Sequence, residues 1–206
     1  MGSFGWIAED RTFKTLNSEG RWVPWRAPVN YHIYGVSWDF NGKQLTRTNE
    51  AASFGNPVPY VNNGSMTAAD CSSPFDNIAP WKDMARTTDA LGNELVAIPK
   101  FWYKFEKTAQ ALNIQIADGP AAGFNVSPAH KARGNESKDK DVIYIGRYHS
   151  DSSYKSTSGS MPVTSITRGT ARTNTHNLGN EYWQLDFRLQ ITLWLLYIVE
   201  FANWDS

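Results

Sequence analysis

A single cysteine, Cys71, stands in a chain of 206 residues. No intrachain disulfide can form, which excludes a disulfide-stapled extracellular module. A lone cysteine is more often a small inert residue than a nucleophile. Net charge is missing too: Lys+Arg and Asp+Glu both number 20, so no overall field favours nucleic acid or an acidic membrane surface. The apolar run Ile191–Val199, broken only by Thr192, is about half the ~20 residues a bilayer span needs. It predicts a core helix, not membrane insertion. The opening MGSFGW lacks the charged region and apolar run of a secretory signal, and Trp6 stands where myristoylation wants Ser or Thr. The expected place of synthesis is a cytoplasm, with no export machinery used.

Motifs with recognised chemistry are missing as well. His32, His130, His149 and His176 show no metal-ligand spacing and have no cysteine pair nearby. No nucleophile elbow, phosphate loop or dinucleotide fingerprint is present. Asp139 and Asp141 match no calcium-loop spacing. His149 with Asp151 is a weak acid/base pair, and the scattered carboxylates single out no hydrolase pair. The expectation is a protein that is no enzyme, with no catalytic residue, metal or other cofactor.

Aromatic residues are plentiful: nine Trp, nine Tyr and ten Phe. Most belong in a β-rich core. Residues 1–30, with Trp6, Trp22, Trp25, Pro24 and Pro28, read as an extended N-terminal arm or short strands laid on a surface. Strands are predicted at Tyr31–Trp38 and Gln44–Thr48, joined by a two-residue Asn41-Gly42 hairpin. Residues 49–94 are loop-rich, with Phe75, Ile78 and Trp81 plugging into the core. Glu94–Lys107 reads as one long strand covered on both faces, with Pro99 marking an edge or bulge. Leu112–Ala117 is its hairpin partner. GFNVSPAH (123–130) reads as irregular, 131–141 as a solvated charged loop, and Val142–Tyr148 as a buried strand. A polar helix is predicted within 164–177, stopped by Gly179.

The last predicted helix runs from about Asp186, its N-cap, to Ala202. A helix presents one stripe to a sheet, yet this one is apolar all round. Leu193, Trp194, Leu196, Tyr197 and Val199 are expected to be mostly buried. Their cover would come from strands 95–106 and 142–148, together with a second polypeptide or a downstream segment.

Six phrases in order carry a resemblance: YGVSWDF (34–40), SPFDNIAPW (73–81), ELVAIPKFWYKFEK (94–107), GFNVSPAH (123–130), DVIYIGRYHS (141–150) and YWQLDFRLQITLWLLYIVEFANWDS (182–206). Together they resemble tail-fibre and other virion proteins of bacteriophages and prophages. Many of these carry a C-type-lectin-like domain related to the variable proteins of diversity-generating retroelements. The resemblance covers roughly 34–206 and leaves 1–30 outside. It implies an α+β fold, β-rich with few helices, in which a lectin-like domain (31–206) follows the arm (1–30). In that family the chain usually runs on after a segment like EFANWDS, so the lectin-like fold is expected to be incomplete at Ser206. The enzyme branch of the fold needs paired cysteines, which Cys71 alone does not provide. Asn203-Trp204-Asp205 lacks the partner motif of calcium-dependent sugar binding.

The implied function is that of a virion structural or receptor-binding protein: tail fibre, tail tip or head decoration. Its partners would be other virion proteins, identical subunits, or a host-surface glycan or protein, with no nucleic acid and no membrane insertion. A carbohydrate-active hydrolase or depolymerase and a stand-alone lectin-like module are the alternatives. Ligand contact is expected at Tyr148, His149, Asp151 and Tyr154, with Arg168 and Arg172 nearby, because aromatic and polar residues on a Ser/Gly-rich loop suit adaptable contact. Oligomer or partner contact is expected at Trp6, Trp22, Trp25, Trp194 and Tyr197.

Overall fold

The computed structural model describes residues 21, 30–59, 67, 70–134 and 136–204, and the backbone alone of 4–7, 12–16 and 22–24. The chain divides into two units, residues 1–30 and 31–206. In the first, the predicted arm is a three-stranded antiparallel meander of β1 (Phe4–Ile7), β2 (Thr12–Leu16) and β3 (Trp22–Pro24). Trp6 and Trp22 lie on β1 and β3 with only their backbones described, and Trp25 lies outside the described residues.

The second unit holds eight strands: β4 (Ile33–Asp39), β5 (Leu45–Asn49), β6 (Ala85–Thr88), β7 (Glu94–Pro99), β8 (Trp102–Lys107), β9 (Ala111–Ala117), β10 (Asn125–Val126) and β11 (Val142–Gly146). They form two antiparallel sheets, ordered β10-β8-β9-β4-β5 and β11-β7-β6. Two helices follow, α1 (Arg168–His176) and α2 (Phe187–Phe201). The coarse expectation of a β-rich α+β fold therefore holds.

Period-two alternation builds the larger sheet. Tyr34 and Val36 share one face of β4, and the register sets them opposite Ile116 and Ile114 of β9. All four side chains are buried, making two cross-strand pairs at the centre of the core. The other face is tight at Gly35, where a Cβ would lie 2.7 Å from Thr48 Oγ1 and 3.0 Å from the Ile114 carbonyl oxygen. Only glycine fits there.

α2 lies on this sheet, packed chiefly against β9 and β4. Strands 95–106 and 142–148 were the predicted cover; β9 and β4 make the chief contacts instead, while Ile98, Phe101 and Ile143 join the same buried cluster. Asp186 is the N-cap as expected, its Oδ1 accepting from the Leu189 amide at 2.8 Å. Thr192, Leu195, Leu196, Ile198 and Val199 are buried. Leu193, Trp194 and Tyr197 are partly buried beside them, and Leu193 and Trp194 pack against the core. Trp194 stacks on Trp204, whose ring also meets Trp38 edge-on. At the other end, the Arg47 guanidinium donates to the Glu200 carbonyl from Nη2 at 2.7 Å and Nε at 3.3 Å. A cation at the end of the helix where free carbonyls gather is favourable.

Four further predictions differ from the structure. The long strand Glu94–Lys107 is two strands in two sheets, with the crossing at Lys100 and Phe101. There Lys100 N–H donates to the Asp141 carbonyl and Ser127 N–H to the Phe101 carbonyl, so the backbone groups at the crossing are satisfied away from β7 and β8. Pro99 ends β7 beyond the reach of β6, whose register stops opposite Ala97, so no ladder bond is lost on that side. The Asn41-Gly42 turn is a longer loop, Phe40–Lys43, closed by the Asp39 carboxylate accepting from the Asn41 and Gly42 amides. The expected buried strand Val142–Tyr148 ends at Gly146 and is an edge strand with Val142 and Tyr144 exposed. Asn125–Val126, read as irregular, pairs with Tyr103 and Trp102.

Candidate functional site

The loop after β11 contains the predicted ligand contacts. Asp151 is engaged within it: its carboxylate accepts from the Ser153 and Lys155 amides and from the Thr157 hydroxyl. The Thr157 hydroxyl, and then the Lys155 amide, hold this carboxyl below its ordinary range. Asp151 thus shapes the loop through these three hydrogen bonds. Glu94 braces the same loop by accepting from the Ser158 amide and hydroxyl and from Arg147. Tyr148 and His149 are exposed, and the Arg147 guanidinium sits 5.2 Å from the Tyr148 ring centre. Tyr154 is half-buried with φ of 62°, an αL conformation uncommon outside glycine. Arg168 and Arg172 are exposed on α1. No described hydrogen bond or ion pair joins them to Tyr148, His149, Asp151 or Tyr154. Among these residues the structure leaves Tyr148 and His149 as the outward-facing pair on a braced loop.

The segment between α1 and α2 inverts the usual pattern. Trp183 and Leu185, with Phe187 at the first position of α2, alternate in sequence and are 65%, 60% and 75% exposed. The residues between them face the protein. Gln184 donates to the Arg168 carbonyl at 3.3 Å, while Asp186 caps α2 and pairs with Arg133. Burial pushes the Asp186 carboxyl up, but the Leu189 amide and Arg133 outweigh it, so it lies below its ordinary value. Upstream, the Tyr182 hydroxyl donates to Asp89 at 2.7 Å and ties the segment to the β6–β7 turn. Three large apolar side chains are thus held in water by specific polar anchoring of their neighbours.

A cavity of about 530 Å³ opens elsewhere in the second unit, lined by His32, Tyr34, Glu50, Phe54, Asn77, Ile78, Ala79, Lys82 and Asp118. His32 Nδ1 lies 2.7 Å from Glu50 Oε2, and the Ile33 amide donates to Glu50 Oε1 at 3.2 Å. The His32 amide donates to Asp118 Oδ1 at 2.9 Å. The hydrogen bond to Glu50, reinforced by its charge, raises His32 above its ordinary value. None of these residues was assigned to a site from the sequence, although His32 and Ile78 were noted there in other roles. They come from four separate segments, and only their position at strand ends and turns hints at a shared rim.

A serine–histidine pair is also present, Ser127 Oγ against His130 Nδ1, but both residues are fully buried. His130 Nε2 lies 3.1 Å from the Ile98 carbonyl oxygen, which fixes that nitrogen as the donor and Nδ1 as the acceptor from Ser127. The pair is core structure, closed to substrate. Among the described residues, no group of three or more His, Cys, Asp or Glu is placed to hold a metal ion, and no helix is long and apolar enough to cross a membrane. No family model matches the chain, and no curated protein or solved structure matches it.

Proposed function

We propose that the chain is a virion structural or receptor-binding protein of a bacteriophage or prophage, acting by binding and not by turnover. In this reading it is a tail-fibre, tail-tip or head-decoration component, and its second unit is lectin-like. The ordered phrases from 34 to 206 support the assignment by resemblance. The observation that carries the binding role is the outward strip Trp183, Leu185 and Phe187. Each such side chain gains roughly 1.5–3 kcal/mol when removed from water, and three outward apolar residues leading into a helix suit a flat protein partner. Large aromatic anchors are typical of such contacts. The strip serves attachment to identical subunits or neighbouring virion proteins, and the Tyr148–His149 loop serves receptor contact.

The test is whether the chain travels with particles. Particles released from a strain carrying the sequence are purified by density gradient and digested for mass spectrometry. Peptides from 94–107 are expected in the particle band. Their confinement to the free-protein fraction would overturn the proposal.

A further inference from the structure

We infer that the cavity between His32, Glu50, Lys82 and Asp118 binds a neutral saccharide, with a pyranose ring against its apolar lining. The inference stands on the cavity alone and does not need the virion reading.

Size is the first argument. A volume of about 530 Å³ falls within the ~300–1,000 Å³ range of small-ligand sites. The lining is also preorganised. Tyr34 is buried and meets Phe75 and Trp81 edge-on, with ring centres 6.2 and 5.9 Å apart, and Phe54 packs beside it. Phe54 and Ile78 add apolar surface for the C–H face of a sugar ring.

The polar groups decide the ligand class. Three side-chain donors are unengaged: the Tyr34 hydroxyl, the Asn77 amide and the Lys82 ammonium donate to no described residue. Burial, then Glu50 and Asp118, pushes the Tyr34 hydroxyl up to about 12, so it keeps its proton as a donor. Beside these donors are two carboxylates. Asp118 Oδ1 and both Glu50 oxygens each accept one bond, which leaves lone pairs on all of them. The ligand must therefore present donors and acceptors close together, as vicinal hydroxyls do. The Lys82 ammonium stands beside the Glu50 and Asp118 carboxylates, so an anionic ligand is not matched. Glu50 and Asp118 fix backbone amides at the cavity wall, so both acceptors are held in place before a ligand arrives.

The experiment uses the whole chain and a panel of neutral methyl glycosides of common hexoses and N-acetylhexosamines, with choline and inorganic phosphate as charged probes. Saturation-transfer NMR reports binding, and the His32 imidazole resonances report the place. At least one neutral glycoside is expected to receive saturation and to shift His32. Asp118→Asn, which keeps the acceptor for the His32 amide, and Lys82→Ala should each weaken that binding about tenfold, the loss of one charge-assisted hydrogen bond. The inference is overturned if no neutral glycoside binds, if binding leaves His32 unshifted, or if only choline or phosphate binds. It is equally overturned if both variants, with unfolding midpoints matching the parent chain, bind the glycoside unchanged. None of these outcomes bears on whether the chain is found in particles, so the two proposals fail separately.

Discussion

Thr192 is the polar residue in the buried stripe of α2, and its replacement by valine tests how the helix is fixed to the sheet layer. Its side chain is fully buried. Oγ1 accepts from the Ala129 amide at 3.0 Å and donates to the Arg188 carbonyl at 2.9 Å. Thr192→Val keeps the shape and removes the hydroxyl. Arg188 loses little, because its carbonyl lies within the helical ladder. The Ala129 N–H loses its partner in a site only 4% exposed, and an orphaned buried donor costs about 1–3 kcal/mol. Thr192→Ser keeps both hydrogen bonds and loses one methyl, about 0.5–1.5 kcal/mol for a small core deletion. Urea unfolding at fixed pH gives the two stabilities. Amide exchange at Ala129 separates the causes: it should accelerate in Thr192→Val and stay close to the parent rate in Thr192→Ser. A valine variant as stable as the parent, with Ala129 still protected, would refute the reasoning.

Gly35→Ala should destabilise by about 1–3 kcal/mol, because the new Cβ meets Thr48 Oγ1 at 2.7 Å and a backbone oxygen at 3.0 Å; urea midpoints check this. His130 gives a pH signature: burial holds its folded value below the ordinary ~6.5. Its contribution is then complete above that pH and is lost as pH falls toward the depressed folded value, since the unfolded chain binds the proton first. His130→Gln should remove this part of the decline in unfolding free energy between pH 7 and 5, and an unchanged slope would count against it. Asp186→Ala should cost about 1 kcal/mol through the lost helix cap, read by thermal unfolding with circular dichroism.

The start of α2 was legible because Asp186 stands one turn before the apolar run Ile191–Val199, so cap and helix signals lie close together. The Ala111–Ala117 partnership with Trp102–Lys107 was legible because strict alternation and a short polar turn lie close in sequence. The change of sheet between Pro99 and Trp102 was not. Apolar alternation continues through Lys100 and Phe101, and the crossing is fixed by distant backbone partners at Asp141 and Ser127. The contacts of α2 with β4 and β9 were missed for the same reason: β4 lies about 150 positions upstream, beyond any local pattern. At the loop after β11, Tyr148 and His149 could be read as outward, but the engagement of Asp151 within the loop could not. Its role depends on local turn bonds that composition does not specify. The inversion at 183–187 escaped because Trp183, Leu185 and Phe187 look like core residues until Gln184 and Asp186 are seen facing in.

That inversion carries the proposed binding role, and light scattering of the purified chain tests it most directly. The parent chain is predicted to run as an oligomer whose mass falls on dilution. Leu185→Ser with Phe187→Ser should run as a folded monomer, because exposed substitutions of this kind change stability by only about 0.5 kcal/mol. A parent chain that is monomeric at every concentration would contradict attachment to identical subunits, and a double variant that assembles as the parent does would contradict the role assigned to this strip.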